Sequence, residues 1–211
     1  MIGLAEVAAA RDALLAGGLA IVPTDTVYGL AAALDAPGGI EALYALKGRP
    51  RSQPCQVLVY TDELLAEALS PLDALTVHAA RLLLPGPVTC IVPDPLRRYV
   101  AATGDRPGTV GIRAPSMTGP MVSLDAPLVA TSANDPGETD PTTLAQVPAR
   151  LVGEGIVALD AGPLPGTAST VVDLCEVATL GRATIVRLGP DPDGVARRLV
   201  AAGVMQVMAG E

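Results

Sequence analysis

The sequence predicts an α/β domain, a twisted open mixed β-sheet with flanking helices. Three observations predict it. Short apolar runs of strand length interleave with segments whose apolar residues recur at helical spacing. Gly and Pro punctuate the junctions. No repeat or low-complexity linker divides the 211 residues, half of them apolar, so residues 1–211 are expected to form one domain with a sizeable core.

Leu4 to Ala16 has helical spacing and ends at Gly17-Gly18. Leu19 to Val22 reads as a buried strand stopped by Pro23, and Val27 to Leu34 as a second. Gly39 to Leu46 is a short helix that delivers Lys47, and Cys55 to Tyr60 is a strand. Thr61 to Leu69 and Pro71 to Leu84 are helices, the second stopped by Pro85-Gly86-Pro87. Val88 to Val92, Thr109 to Arg113 and Leu128 to Ala130 read as strands. Thr142 to Leu151 is expected to be a helix and Ile156 to Leu159 a strand. Ser169 to Leu174 and Ala183 to Leu188 follow as strands, with a last helix over Asp193 to Ala202.

Composition narrows the function. The core is aliphatic, because the chain has no Phe or Trp, and four tyrosines are the whole stock for stacking on nucleobases. The net charge of −8 provides no global attraction for a polyanion. Cys55, Cys90 and Cys175 are far apart and, with one histidine, make no zinc motif; they read as buried free thiols of a reducing compartment. The N-terminus lacks a signal-peptide pattern, and no apolar run reaches membrane-spanning length. A cytoplasmic protein is expected.

One lysine stands against 13 arginines, in Ala45-Leu46-Lys47-Gly48-Arg49-Pro50-Arg51. A compact ammonium fits where a planar guanidinium does not. This turn reads either as a clamp for phosphate or carboxylate, or as a cation at a helix C-terminus. Other polar clusters flank apolar strands, at positions where open α/β sheets bind ligands. Pro23-Thr24-Asp25-Thr26-Val27-Tyr28-Gly29-Leu30 offers hydroxyls or a self-satisfied turn. Leu84-Pro85-Gly86-Pro87-Val88-Thr89 reads as a structural turn. Arg113 ends an apolar strand, and a buried arginine needs an anion. Thr131-Ser132-Ala133-Asn134 follows a strand and suits phosphate oxygens. Ser169-Thr170 and Arg187-Leu188-Gly189 sit at further strand edges. No GxxxxGK[ST] or GxGxxG occurs, and the single His78 lies mid-helix, which leaves triad chemistry unsupported.

Together these segments resemble the YrdC-like family. Pro23 to Leu30 is similar to its opening signature, and Lys47-Gly48-Arg49 with Ser132-Ala133-Asn134 to its paired KxR and SxN motif. Pro85 to Thr89, Val110-Gly111-Ile112-Arg113, Ser169 to Asp173 and Arg187-Leu188-Gly189 match in order, so the resemblance runs from about residue 20 to 189. It implies a large concave, positively charged cleft. It also implies an L-threonylcarbamoyladenylate synthase, a nucleotidyltransferase that joins L-threonine, bicarbonate and ATP and releases pyrophosphate for tRNA modification.

Residue by residue, the resemblance places L-threonine on Thr26, Arg113 and Ser169. It places ATP on Arg49, Gln53, Thr109, Ser132, Asn134 and Arg187, with Asp140 near a further contact. Lys47 and Arg49 carry the catalytic charge, Mg²⁺ is held through phosphates, and no protein metal site is implied. Leu58 replaces a histidine of longer relatives, and the C-terminal extension of those relatives is not expected; both features resemble the family's short form. Thr131 and Leu188 stand where the family commonly has proline. The resemblance also implies a downstream tRNA threonylcarbamoyl transferase as partner. Two rival readings stand beside it: a paralogue using another carbamoyl substrate, and a double-stranded RNA-binding module, which the acidic balance disfavours.

Overall fold

The computed structural model describes residues 2–153 and 155–208; residues 1, 154 and 209–211 of the expected domain lie outside them. The chain runs α1 (Leu4–Leu15), β1 (Leu19–Val22), β2 (Gly29–Ala33), α2 (Gly39–Lys47), β3 (Gln56–Leu58), α3 (Asp62–Leu69) and α4 (Ala74–Leu83). It continues through β4 (Val88–Pro93), β5 (Thr109–Arg113), β6 (Leu128–Ser132), β7 (Val157–Ala158), β8 (Thr170–Asp173) and α5 (Val177–Leu180). It closes with β9 (Arg182–Arg187), α6 (Pro192–Ala201) and β10 (Met205–Met208). Among the described residues the strands make one mixed ten-stranded sheet, ordered β10-β9-β8-β4-β5-β3-β6-β2-β1-β7. It contains parallel pairs such as β3 with β5 and antiparallel pairs such as β4 with β5.

Most expected elements are present with trimmed ends. The run from Val27 forms a strand only from Gly29, because Thr24 Oγ1 folds the preceding loop on itself by accepting from the Thr26 and Val27 amides at 3.1 Å. The fourth helix starts at Ala74, after Asp73 caps the Leu75 and Thr76 amides. The helix expected over Thr142 to Leu151 does not form. Two 3-10 turns, Leu144–Gln146 and Ala149–Leu151, stand in its place. Pro148 separates them: it offers no amide and holds Val147 extended, with ψ 128°. The sequence reading also missed α5 and β10, both too short or too irregular in apolar pattern to register. Cys55 and Cys90 are buried, but Cys175 is only half-buried.

The sheet is covered on two faces, and strand alternation assigns the residues. Along β1, Leu19 and Ile21 join the larger core, while Ala20 and Val22 join the smaller one. The larger core, with helices α2, α3, α4, α5 and α6, runs beneath β1 to β6, β8 and β9. The smaller core is built by Val7, Ala10 and Leu14 of α1 on the β1, β2 and β6 end of the opposite face. Over β3, β5, β4 and β8 that opposite face lacks such a cover and holds a cavity.

Candidate active site

The cavity has a volume of about 370 Å³. Its floor is the uncovered face of the sheet. Gln56 and Leu58 of β3, Thr89 and Ile91 of β4, and Thr109, Gly111 and Arg113 of β5 line it. The residues between them, Val57, Cys90, Val110 and Ile112, point the other way into the larger core. The sequence reading placed the polar clusters at strand ends. The period of two instead brings Thr109 and Arg113, from opposite ends of β5, onto one floor.

The cationic turn follows α2. Lys47 is 5% exposed, and its ammonium donates to the Ser132 carbonyl at 2.9 Å, to Asn134 Oδ1 at 3.1 Å and to the Asn134 carbonyl. Burial pulls its pKa from 10.5 to about 8; Arg150 and Arg49 push the same way, and Asp135 and Asp140 oppose them. Arg49 donates to Thr131 Oγ1 at 2.9 Å and to the Pro54 carbonyl at 2.6 Å, while its buried Nε has no partner. The turn is braced by Tyr44, whose hydroxyl donates to the Gln53 carbonyl at 2.8 Å and whose ring lies 4.4 Å beneath the Arg51 guanidinium. Asn134 Oδ1 accepts from Ser132 Oγ at 2.7 Å, and its amide donates to Asp140 Oδ1 at 3.1 Å.

Arg113, 2% exposed, answers the requirement for an anion with Asp25. Its Nη2 donates to Asp25 Oδ1 at 2.5 Å and to Thr26 Oγ1 at 2.7 Å. Asp25 Oδ2 accepts the Ser116 amide at 2.9 Å, so the carboxylate is held at both oxygens. Arg113 Nε is buried without a partner.

Arg187 reaches the floor through an irregularity. By strand alternation it would share the core face of Ala183 and Ile185. However, Val171 pairs with Arg187 while Val172 pairs with Ile185, so Val186 is an extra residue. This bulge flips Arg187 to the cavity side and leaves Val186 exposed. Arg187 then donates to the Ser169 carbonyl from Nε at 3.1 Å and from Nη2 at 2.9 Å. Burial lowers its pKa, with Asp140 opposing. Gly189 fits against Ser169 so closely that a Cβ there would lie 2.3 Å from the Thr170 nitrogen and 2.4 Å from the Ala168 oxygen.

Of the expected site residues, Arg49, Thr109, Arg113, Ser132, Ser169 and Arg187 line the cavity, as does Asp140. Thr26, Lys47, Gln53 and Asn134 do not. Thr26 is fully buried and bonded to Arg113; Lys47 and Asn134 brace one another behind Ser132; Gln53 is exposed on the outer turn. Gln56 and Arg106 also line the cavity and went unread, because single polar residues in apolar strands or loops carry no motif; Thr89, read as part of a structural turn, and Thr131, read as part of a phosphate-suited cluster, line it too. Leu58, in place of the histidine of longer relatives, forms part of the floor. His78 lies exposed on α4. Burial pushes the Cys55 thiol up, which keeps it protonated at the cavity edge. Among the described residues no group of three or more His, Cys, Asp or Glu is gathered as metal donors. Four guanidinium groups, hydroxyls and one carboxylate around one concavity can neutralise and orient a ligand with several anionic groups.

Comparison with known proteins bears on the same region. The sequence model of the Sua5/YciO/YrdC family, described as telomere recombination, matches residues 12–189. The chain is 34% identical over 184 residues to a threonylcarbamoyl-AMP synthase of Chromohalobacter salexigens, covering 84% of this chain and 97% of that protein. The structure of P. abyssi Sua5 complexed with L-threonine superposes with a TM-score of 0.78 at 25% identity. That match covers 98% of this chain but 60% of the Sua5 chain, so the present chain spans less than two thirds of that protein. E. coli YciO shares the fold with a TM-score of 0.72 at 20% identity, over 89% of this chain and 91% of that one.

Proposed function

This chain belongs to the Sua5/YciO/YrdC family, and from that premise we propose that it is an L-threonylcarbamoyladenylate synthase, a nucleotidyltransferase acting on L-threonine, bicarbonate and ATP. The observation that carries the reading is the convergence of Arg49, Arg113 and Arg187 with Thr109, Ser132 and Ser169 on one cavity. The threonine amine adds to the carbon of bicarbonate, water leaves, and a carbamate forms. A carbamate oxygen then attacks the α-phosphorus of ATP in line, pyrophosphate departs, and threonylcarbamoyl-AMP remains.

The step asks for positioning and charge neutralisation more than for an acid or base. Arg113 and Ser169 seat L-threonine, the guanidinium pairing with its carboxylate, while Thr26 holds Arg113 from behind. Arg49, Thr109, Ser132 and Arg187 receive the nucleotide, with Asp140 beside them. Lys47 and Asn134 act through Ser132, fixing the end of β6 and adding positive charge behind the phosphates. Gln53 contacts the nucleotide from the outer turn. Mg²⁺ arrives with ATP, held by phosphate oxygens and water. The product leaves for a separate transferase that modifies tRNA. Among the described residues no helix is long and apolar enough to cross a membrane, and the substrates are those of the cytoplasm, where we place the reaction. The test is direct. Purified protein with ATP, L-threonine and bicarbonate should yield equimolar pyrophosphate and threonylcarbamoyl-AMP, and no product beyond a no-enzyme control would refute the reading.

A further inference from the structure

A run of side-chain hydrogen bonds crosses the cavity floor. Arg187 Nη2 lies 3.2 Å from Ser169 Oγ. Ser169 Oγ lies 2.9 Å from Thr89 Oγ1, and Thr89 Oγ1 donates to Gln56 Oε1 at 2.9 Å. The ends are chemically opposite, since a guanidinium only donates and an amide oxygen only accepts. With Gln56 Oε1 against Thr89, the single Thr89 proton is committed to Gln56. Thr89 can then only accept from Ser169, whose own proton is committed in turn. Ser169 takes Arg187 on one lone pair and keeps the other for whatever enters the cavity.

The crossing depends on a missing side chain. In the sheet β5 lies between β3 and β4, and Gln56 pairs with Gly111. A Cβ at position 111 would lie 3.2 Å from Thr89 Cγ2 and 3.8 Å from Gln56 Cβ. Glycine there lets Gln56 reach across a neighbouring strand to Thr89.

We infer that Gln56 is a positioning residue for the amine of bound L-threonine: it sets the direction of this run and so makes Ser169 an acceptor. The inference rests on the synthase reading of the same cavity. Its chemical value lies at the nucleophile. A serine that donated its proton to the amine would occupy the nitrogen lone pair that must attack the carbon of bicarbonate. A serine that accepts an N–H holds the same nitrogen and leaves the lone pair free. An amide turned the other way would reverse the run and release the Ser169 proton toward the ligand.

The test uses Gln56→Met and the isosteric Thr89→Val, singly and together. The readouts are initial rates of pyrophosphate release and calorimetric titration with L-threonine alone. Each single variant should lower kcat/KM for L-threonine about tenfold while KM for ATP stays within about twofold of wild type. The double variant should be no worse than the poorer single one, because both cut one run. Thr89→Val keeps the test open should Gln56→Met not fold. Unchanged kcat/KM for L-threonine, equal losses for both substrates, or losses that multiply in the double variant would overturn the inference alone. A wild-type chain that binds no L-threonine would overturn it together with the synthase reading.

Discussion

The ammonium of Lys47 lies 3.1 Å from Asn134 Oδ1, a bond that ties the end of α2 to the loop after β6 across 87 positions of sequence. With the Ser132 carbonyl at 2.9 Å, the lysine is enclosed by oxygens on the far side of the cavity wall. A planar fork would not fit that pocket of carbonyls.

Lys47→Ala and Arg49→Ala should each nearly abolish synthesis. Arg49→Ala should keep its fold, because the side chain lines the cavity and braces only Thr131 and Pro54. Lys47→Ala should also unfold more easily, by about 1–3 kcal/mol, since buried carbonyls lose a charged donor. Lys47→Arg should be impaired as well. Turnover and thermal melts on the three variants decide, and wild-type activity in Lys47→Ala would remove the lysine from the mechanism.

The lowered pKa of Lys47, about 8, predicts an alkaline limb in kcat/KM as the ammonium discharges. Stability moves the other way. Between about pH 8 and the ordinary 10.5 the unfolded chain holds a proton at this position that the folded chain has released. This residue therefore adds stability as pH rises through that window. Rate and melting profiles from pH 7 to 10 should diverge. In Lys47→Arg the limb should move upward, and a limb at unchanged pH there would assign it to another group.

Arg113→Ala should raise KM for L-threonine far more than KM for ATP. Asp25→Asn should be felt in stability first. The pair is 2.5 Å apart with side chains 3% and 12% exposed, so removing the carboxylate leaves a buried guanidinium without its anion. A loss of about 3–5 kcal/mol is the usual scale. Equal effects of Arg113→Ala on both substrates, or an unaltered melting temperature in Asp25→Asn, would contradict these roles.

Gly189→Ala places a methyl within 2.3–2.6 Å of three backbone atoms of residues 168–170. Backbone cannot rotate aside as a side chain can. A cost of about 2–3 kcal/mol and a fall in Tm of roughly 5–10 °C are expected, with activity lost as Ser169 shifts. An active variant with wild-type Tm would show that the segment yields freely.

Synthesis should run at full rate without tRNA, and tRNA should bind only weakly at physiological salt. With a net charge of −8, four tyrosines, and most arginines outside the cavity already paired with carboxylates, little remains to neutralise an RNA backbone. A salt-dependent shift assay checks this. Submicromolar binding at physiological salt, or synthesis that needs tRNA, would reverse the expectation.

The strands and most helices were legible because apolar runs and Gly/Pro breaks are local signals. Arg49, Thr109, Arg113, Ser132, Ser169 and Arg187 stood out in the sequence through polar clusters and motif order, and the structure gathers them around one cavity. What escaped depends on pairing between strands. Arg187 faces the cavity only through the Val186 bulge, and Gln56 matters only because Gly111 lies beside it. The Asp25 partner of Arg113 was within the quoted segment, yet nothing in a single sequence joins positions 88 apart. The misread helix at Thr142 shows apolar spacing outvoting Pro148, where backbone chemistry had the stronger claim.

An aliphatic core has an optical consequence. With no tryptophan, ultraviolet absorbance and emission come from Tyr28, Tyr44, Tyr60 and Tyr99, and all four rings are buried. Two of them bracket the cavity. Tyr28 lines it and holds the 160–162 loop through its hydroxyl, and Tyr44 lies beneath Arg51 in the cationic turn. A nucleotide phosphate bound beside the Lys47–Arg51 turn would change the field over Tyr44. The near-ultraviolet circular dichroism of the unlabelled chain thus becomes a titratable signal of occupancy.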